Sequence, residues 1–458
     1  MENNLALLMD LYELTMAESY LAYKPDTLAT FDLFVRELPP SRSYLIACGI
    51  DDAISYLRTL TFSKEDIAYL AGKRLFSRPF LTYLRNFKFT GDVWAMPEGT
   101  ICFPREPLIR VTAPIIQAQI VESFLLNTIN LSTMIASKAS RVVTASRGRD
   151  VFDFSLRRTQ GADAAIKVPR AAYIAGFNAT ANVLAGKLYG IPVVGTMAHS
   201  FVMSFGSERD AFFAYARTFP GQTILLVDTY DTLRGIENAI ETGRFLLEQG
   251  TRLVGIRLDS GDIVSLSRYA RQRLDQAGLV YVKIFASGNL DEFKIKALLE
   301  HGARVDGFGV GTNMGTSIDA PALDVIYKIS EVSDKGENFL PTMKLSQGKV
   351  TYPGRKQVFR VKDKRGRYVS DILALERELT QGKPLLQKVM AKGRVLYKPS
   401  PLGSIQKSVR ESLLRFSPGL LDVYPLYRYP LLISPGLSQL RKCVTRQLKA
   451  RQPDMRVC

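Results

Sequence analysis

Between residues 149 and 313 the chain repeats one unit: a short β-branched apolar run, a polar turn, then a helical stretch. RDVFDF (149–154), IPVVGT (191–196), TILLVDT (223–229), RLVGIRLDSGD (252–262), VKIFASGN (282–289) and RVDGFGVGTN (304–313) are the six apolar runs. Recurrence at roughly thirty residues is the mark of βαβ units, because two parallel strands need a crossover long enough to hold a helix. The fold class is therefore α/β, a parallel sheet, or a barrel if one or two further strands are hidden.

The flanks differ. Residues 1–115 read as an α+β domain, with apolar residues at helical spacing from Leu5 to Tyr23 and strands in TLATFDLFVREL, VWAM and LIRVTA. Residues 116–330 carry the βαβ rhythm, opening with a long Ser/Thr/Ala-rich helical stretch to about residue 146. A second helical stretch is expected from Ala162 to Tyr189, disturbed near Pro169. Residues 331–458 form a C-terminal segment, first hairpin-like strands in LPTMKLSQGKVTYPGRKQVFRV and then a basic helical tail that packs back on the rest.

Composition excludes several classes. Hydrophobic residues make up 46% and charged residues 23% of the 458, the balance of a soluble globular protein. No apolar run approaches the ~20 residues of a membrane span, and MENNLALLMDLYELTM lacks the basic start of a secretory signal. A cytoplasmic protein is expected. Cys48, Cys102, Cys443 and Cys458 are widely separated, without the spacing of a metal site or a disulfide framework. The formal charge of +17 concentrates after residue 340, in KDKRGR (362–367) and RKCVTRQLKAR (441–451). No zinc-finger, RNP or helix-turn-helix pattern accompanies it, so the charge is weak evidence for nucleic acid.

Polar residues collect where each apolar run ends. Arg157 and Arg158 follow the first run, Thr196 and His199 the second, and Asp228 with Asp231 the third. Arg257, Asp259, Ser260 and Asp262 follow the fourth, Ser287, Gly288 and Asn289 the fifth, and Gly309, Gly311, Thr312 and Asn313 the sixth. In barrels and open α/β sheets these ends share one face, where ligands bind. A single cluster can be a helix cap, as Asp262 can, or a solvated ion-pair network; six in succession point to a site. ASGN and GVGTN bring small residues to helix starts, where backbone N–H groups can approach phosphate. Asp259 and Asp262 can hold Mg²⁺ through oxygen ligands, and the arginines suit phosphates or a carboxylate. His199 is one of only two histidines; His301, in EHGARVD, reads as a helix-end residue.

The set DLYELTM, FDFSLRRTQG, ATANVLAGKLYGIPVVGTMAHS, IRLDSGD, GVGTN and KLSQGKVTYPGRKQVFR, in that order, resembles nicotinate phosphoribosyltransferase, a type II phosphoribosyltransferase family. The resemblance implies an irregular, TIM-like α/β barrel beside an N-terminal α+β domain. It implies condensation of nicotinate with phosphoribosyl pyrophosphate to nicotinate mononucleotide and pyrophosphate, the entry from nicotinate to NAD, with Mg²⁺ present. ATP would be a co-substrate, hydrolysed through a phosphohistidine at His199. A homodimer with shared active sites would bring Tyr12 of one subunit against Phe154 of the other, to hold the pyridine ring. Arg257 and Thr196 would orient the carboxylate; Arg157, Gly288, Gly311 and Thr312 would cradle phosphates; Asp259 would meet ribose hydroxyls or Mg²⁺. Ser155 and Ala181 stand where the family pattern leads one to expect Gly and Ser, which bears on preference among pyridines. Related transferases acting on nicotinamide or quinolinate are the neighbouring alternatives, and a non-catalytic, nucleic-acid-binding barrel is the distant one.

Overall fold

A computed structural model describes residues 5–336, 338–346 and 351–450. The chain forms two compact units. One comprises residues 1–134, 322–420 and 425–458; the other comprises residues 135–321 and 421–424. The expected divisions at 115/116 and 330/331 thus fall inside the first unit. The long helix Glu122–Ala145 starts in one unit and ends in the other, and the segment after residue 321 returns to complete the first.

The first unit is built on a seven-stranded antiparallel sheet. Strand Leu28–Val35 lies inside it, paired with Ile109–Pro114 on one side and with Val325–Ser333 on the other. The sheet continues through Asp92–Ala95 to Gln387–Ala391. Seven of the eight residues of Leu28–Val35 are buried, which explains the near-continuous apolar run LATFDLFV. Phe31 stacks on Tyr327 across the sheet, centroids 4.6 Å apart, a geometry that adds to the burial of both rings. A four-stranded sheet joins Lys383–Pro384, Lys356–Lys362, Tyr368–Leu375 and Leu431–Ile433. The basic helix Pro435–Ala450 belongs to this same unit.

The second unit carries a curled, six-stranded parallel sheet, a half-barrel. Its spatial order is Ala179–Thr180, Asp150–Asp153, Gly307–Val310, Lys283–Ala286, Gly255–Leu258 and Ile224–Leu226. Five of the six expected strands are present. The exception is IPVVGT, which contributes only one parallel bridge, Val193 to Thr180, while the two-residue strand Ala179–Thr180 takes the sheet position. The helical stretch expected across 162–189 is likewise two helices, Gly161–Ile174 and Val183–Tyr189. The break is at Gly176, whose φ of +119° only glycine adopts cheaply, and not at Pro169, which the first helix accommodates.

Candidate active site

The six-stranded sheet brings the polar strand ends of the second unit together. Phe154 follows Asp150–Asp153, and its seat is made by Gly309 on the neighbouring strand. A Cβ at Gly309 would lie 2.3 Å from the Phe154 ring, so that strand must present glycine there. The Arg257 guanidinium sits 6.0 Å from the centre of the same ring, a cation facing an aromatic face. It donates through one terminal nitrogen to the Thr196 hydroxyl (2.9 Å), while its Nε is buried without a partner. Burial pulls Arg257 below the usual guanidinium range; Asp259 and Asp228 counter this, and Arg157 adds to it. Arg157 and Arg257 are thus electrostatic neighbours, and Arg257 is a desolvated cation with an unfilled donor.

The acids that act on Arg257 form an arrangement of their own. Asp228 Oδ2 accepts from the Asp259 backbone N–H (3.0 Å) and the Ser260 hydroxyl (2.6 Å), while Oδ1 is buried without a partner. Asp259 Oδ1 accepts from the Ser287 hydroxyl (2.5 Å). Gly288 follows at φ +92°, and a Cβ there would stand 1.9 Å from the Asp259 carbonyl oxygen. No side chain fits between these two loops. Asp262 does something else. Its Oδ1 accepts from the N–H groups of Val264 and Ser265 and its Oδ2 from the Ser265 hydroxyl, so it caps the helix Ile263–Gln276. Among the described residues no cluster of three or more His, Cys, Asp or Glu could hold a metal alone.

Gly311 and Thr312 open the last turn, against the Phe154 backbone. A Cβ at Gly311 would lie 3.0 Å from the Phe154 carbonyl oxygen. The buried Asn313 amide donates to the Asn289 carbonyl (3.2 Å) and to Asp291 (3.3 Å), tying the ASGN and GVGTN loops together. His199 begins the short helix His199–Met203, with Nδ1 3.2 Å from the Thr229 hydroxyl. His301 is a helix C-cap whose Nδ1–H donates to the Ala297 carbonyl (2.8 Å).

Phe154, Arg157, Thr196, His199, Arg257, Asp259, Gly288, Gly311 and Thr312 therefore all belong to the second unit and to strand ends of its sheet or the loops that follow them. Tyr12 belongs to the first unit, on helix Leu11–Tyr23. It is 46% exposed, and partial burial beside Glu122 and Glu13 raises its phenol above the usual range.

The residues that hold these groups in place carried little sequence signal. Asp153, fully buried, accepts from the Thr180 hydroxyl (2.7 Å) and the Ser155 backbone N–H (2.9 Å). Burial raises its carboxyl above the usual range and these hydrogen bonds oppose the rise. Thr180 pairs in turn with the 192–194 segment that leads to Thr196. One buried acid thus fixes the strand end carrying Phe154 relative to the loop carrying Thr196. Thr229, which holds His199, sits in VDTYD beside the conspicuous Asp228.

Two family models match the chain: the nicotinate phosphoribosyltransferase N-terminal domain over residues 7–130 and the nicotinate phosphoribosyltransferase family over residues 150–343. The nicotinate phosphoribosyltransferase pncB2 of Mycobacterium tuberculosis is 48% identical over 433 residues, covering 94% of this chain and 91% of the relative. That of Bacillus subtilis is 41% identical over 366 residues, covering 79% and 74%. The crystal structure of human nicotinic acid phosphoribosyltransferase superposes with a TM-score of 0.85 at 28% identity, covering 95% of this chain and 99% of that one. Strand-end geometry, domain models and relatives agree, and the chain belongs to the nicotinate phosphoribosyltransferase family.

Proposed function

We propose that this chain joins nicotinate to phosphoribosyl pyrophosphate, forming nicotinate mononucleotide and releasing pyrophosphate, with ATP hydrolysis coupled through His199. The observation that carries the reading is Arg257: half-buried, facing the Phe154 ring, hydrogen-bonded to Thr196, and left with a buried, unfilled Nε donor. A planar carboxylate completes such a guanidinium bidentately. A flat ring attached to that carboxylate can stack on Phe154, with Tyr12 of a second subunit closing the other face. Nicotinamide is uncharged and leaves the Arg257 charge unanswered.

The ring nitrogen then attacks the ribose anomeric carbon. The N–C bond forms as the C–O bond to pyrophosphate breaks, and the electron pair leaves with pyrophosphate. No protein base is needed, because the nucleophile carries its own lone pair. Catalysis rests on placement and on stabilising the departing anion. Arg157 supplies charge, and the loops at Gly288, Gly311 and Thr312 supply backbone N–H groups close to the phosphates. Asp259 meets the ribose hydroxyls. Asp228 and Asp259 form a hard-oxygen pair, with Asp228 Oδ1 unpartnered, that suits Mg²⁺ completed by substrate phosphates. Asp262 does not suit it, since its oxygens cap a helix. When bound, Mg²⁺ would neutralise charge on the leaving pyrophosphate.

For ATP coupling, Nδ1 of His199 is held 3.2 Å from the Thr229 hydroxyl, and the tautomer in which Nδ1–H donates to that hydroxyl leaves the lone pair on Nε2. In that tautomer the Nε2 lone pair can attack the γ-phosphorus of ATP, the N–P bond forming as the bond to the departing ADP breaks. With this activity the chain would work in the cytoplasm, supplying nicotinate mononucleotide toward NAD; among the described residues no helix is long and apolar enough to cross a membrane.

Pyrophosphate release with nicotinate, nicotinamide and quinolinate in parallel, with Mg²⁺ and with or without ATP, tests the reading. Release with nicotinate, increased by ATP, and loss of that increase in His199→Ala are expected. Activity confined to another pyridine would reassign the Arg257 pocket. Equal ATP stimulation in His199→Ala would remove the phosphohistidine.

A further inference from the structure

The first unit holds a second concentration of positive charge, outside the machinery above. Strands Lys356–Lys362 and Lys383–Pro384 run antiparallel with Arg360 directly opposite Lys383. Positions 360 and 362 share a face, since side chains alternate along a strand. Three cations therefore meet at one end of the sheet, and like charges directly opposed are destabilising unless something answers them.

Only one is answered. Arg360 is buried and makes a bidentate pair with Asp371 (2.9 and 2.6 Å). Lys362 and Lys383 have no ion pair and no side-chain hydrogen bond among the described residues; the Lys362 ammonium lies 5.5 Å from the Tyr368 ring centre. Both line a pocket of about 170 Å³ with the hydroxyl-bearing side chains of Tyr368, Ser408 and Ser412. Ser408 and Ser412 are one turn apart on the helix Leu402–Leu413 and so face the same way. None of these three hydroxyls has a hydrogen-bond partner among the described residues. The acid in the pocket wall, Glu98, is already engaged by the backbone N–H groups of Gly49, Ile50 and Asp51 (2.9, 2.9 and 3.2 Å). A lysine on an edge strand discourages strand addition, which explains Lys383 alone. It does not explain two unanswered ammoniums and three unfilled hydroxyls around one concavity.

We propose that this pocket binds a phosphate dianion, either free or as the phosphate of a small monoester. Two ammonium groups balance its charge, and the three hydroxyls donate to its oxygens. The volume suits one phosphoryl group with a few waters at ~30 Å³ each, and is below the roughly 300 Å³ at which sites for larger ligands begin. The site is independent of the transferase reading, because none of its residues serves that reaction.

Equilibrium dialysis of labelled inorganic phosphate against the full-length protein, at fixed ionic strength, is the test. The double variant Lys362→Gln/Lys383→Gln should bind one phosphate fewer per chain at saturation, with an unchanged thermal midpoint and unchanged transfer in phosphate-free buffer. Ser408→Ala/Ser412→Ala should weaken the same site about tenfold while leaving its stoichiometry intact. Competition by ribose 5-phosphate would assign the site to monoesters, and its failure to compete would assign it to free phosphate. Identical phosphate stoichiometry and affinity in wild type and both variants would overturn the proposal. Displacement of all bound phosphate by chloride at the same ionic strength would do so too, since that is screening and not a site.

Discussion

Arg257 and Arg360 are both largely desolvated guanidiniums beside aromatic rings, yet they are finished differently. Arg360 donates to both oxygens of Asp371 and to the Ile101 carbonyl, with the Tyr368 and Phe416 rings 5.2 and 5.3 Å away. Arg257 has a threonine hydroxyl, one ring at 6.0 Å and a buried Nε with nothing to donate to. The first is a closed structural tie. The second is a site with one partner missing. Residue type is the same and both guanidiniums lose solvent, Arg360 buried and Arg257 half-buried, so completeness of the hydrogen-bond set is what separates fold from function here.

The largest effect that can break this contrast is expected at the closed tie. Arg360→Ala leaves Asp371 buried beside Glu106, whose carboxyl burial and Asp371 already push up. Loss of about 3–5 kcal/mol of stability is expected, read as a lowered urea midpoint, with transfer activity retained by the folded fraction. A stable Arg360→Ala protein would show that the tie is not what holds this sheet.

Arg257→Ala should do the reverse. A drop of about 100-fold in kcat/KM for nicotinate is expected, equivalent to ~2.7 kcal/mol, with phosphoribosyl pyrophosphate saturation little changed and the unfolding midpoint unmoved. Unchanged nicotinate kinetics would mean the open donor serves the fold after all.

A smaller, pH-dependent effect belongs to Glu13, a buried acid with no cation paired to it among the described residues. It accepts from the Ser123 hydroxyl and from the Ser123 backbone N–H (3.0 Å), and burial pushes its carboxyl up to about 7. The folded state holds this proton more tightly than the unfolded chain does. Its stabilising share is therefore complete below about pH 4.5 and is lost as pH rises to about 7. Glu13→Gln should flatten that slope and gain up to about 2 kcal/mol at pH 8. Parallel pH–stability curves for the two proteins would contradict it.

Smallest is Thr229→Val, which frees Nδ1 of His199. About fivefold weaker ATP stimulation, near 1 kcal/mol, is expected, with ATP-independent transfer kept. No change would leave the tautomer to some other partner.

Local pattern carried the parallel sheet of the second unit well, because buried parallel strands write themselves as apolar runs and their ends as polar clusters. It drew Arg257, Asp259 and the glycine loops to notice for the same reason, whereas Phe154 and Tyr12 came only from the family resemblance. It failed where pairing partners are remote. Ala179–Thr180 is two residues long and is a strand only because Asp150–Asp153 lies beside it, while the stronger-looking IPVVGT makes one bridge. In the seven-stranded sheet the strands in TLATFDLFVREL, VWAM and LIRVTA were legible but their arrangement was not, since Val325–Ser333 and Gln387–Ala391 join it from far along the chain. The sequence offered Asp262 both as a helix cap and as a Mg²⁺ ligand, and left Asp228 without a role. The acceptor geometry decides for the cap at Asp262 and shows that Asp228 keeps an oxygen free.

The pairing of Leu28–Val35 with Val325–Ser333 also sets a timetable for synthesis. The early strand can find Ile109–Pro114 soon after both emerge, but its other edge has no neighbour until almost three hundred further residues have been made. At 5–20 residues per second this is a wait of roughly 15–60 s. Throughout it an apolar strand offers unpaired N–H and C=O groups to anything nearby. A ribosome stalled shortly before residue 325 would thus hold a second unit whose strands are all present and a first unit still lacking the strand that covers this edge. Chaperone demand and aggregation of truncated chains should concentrate in that interval.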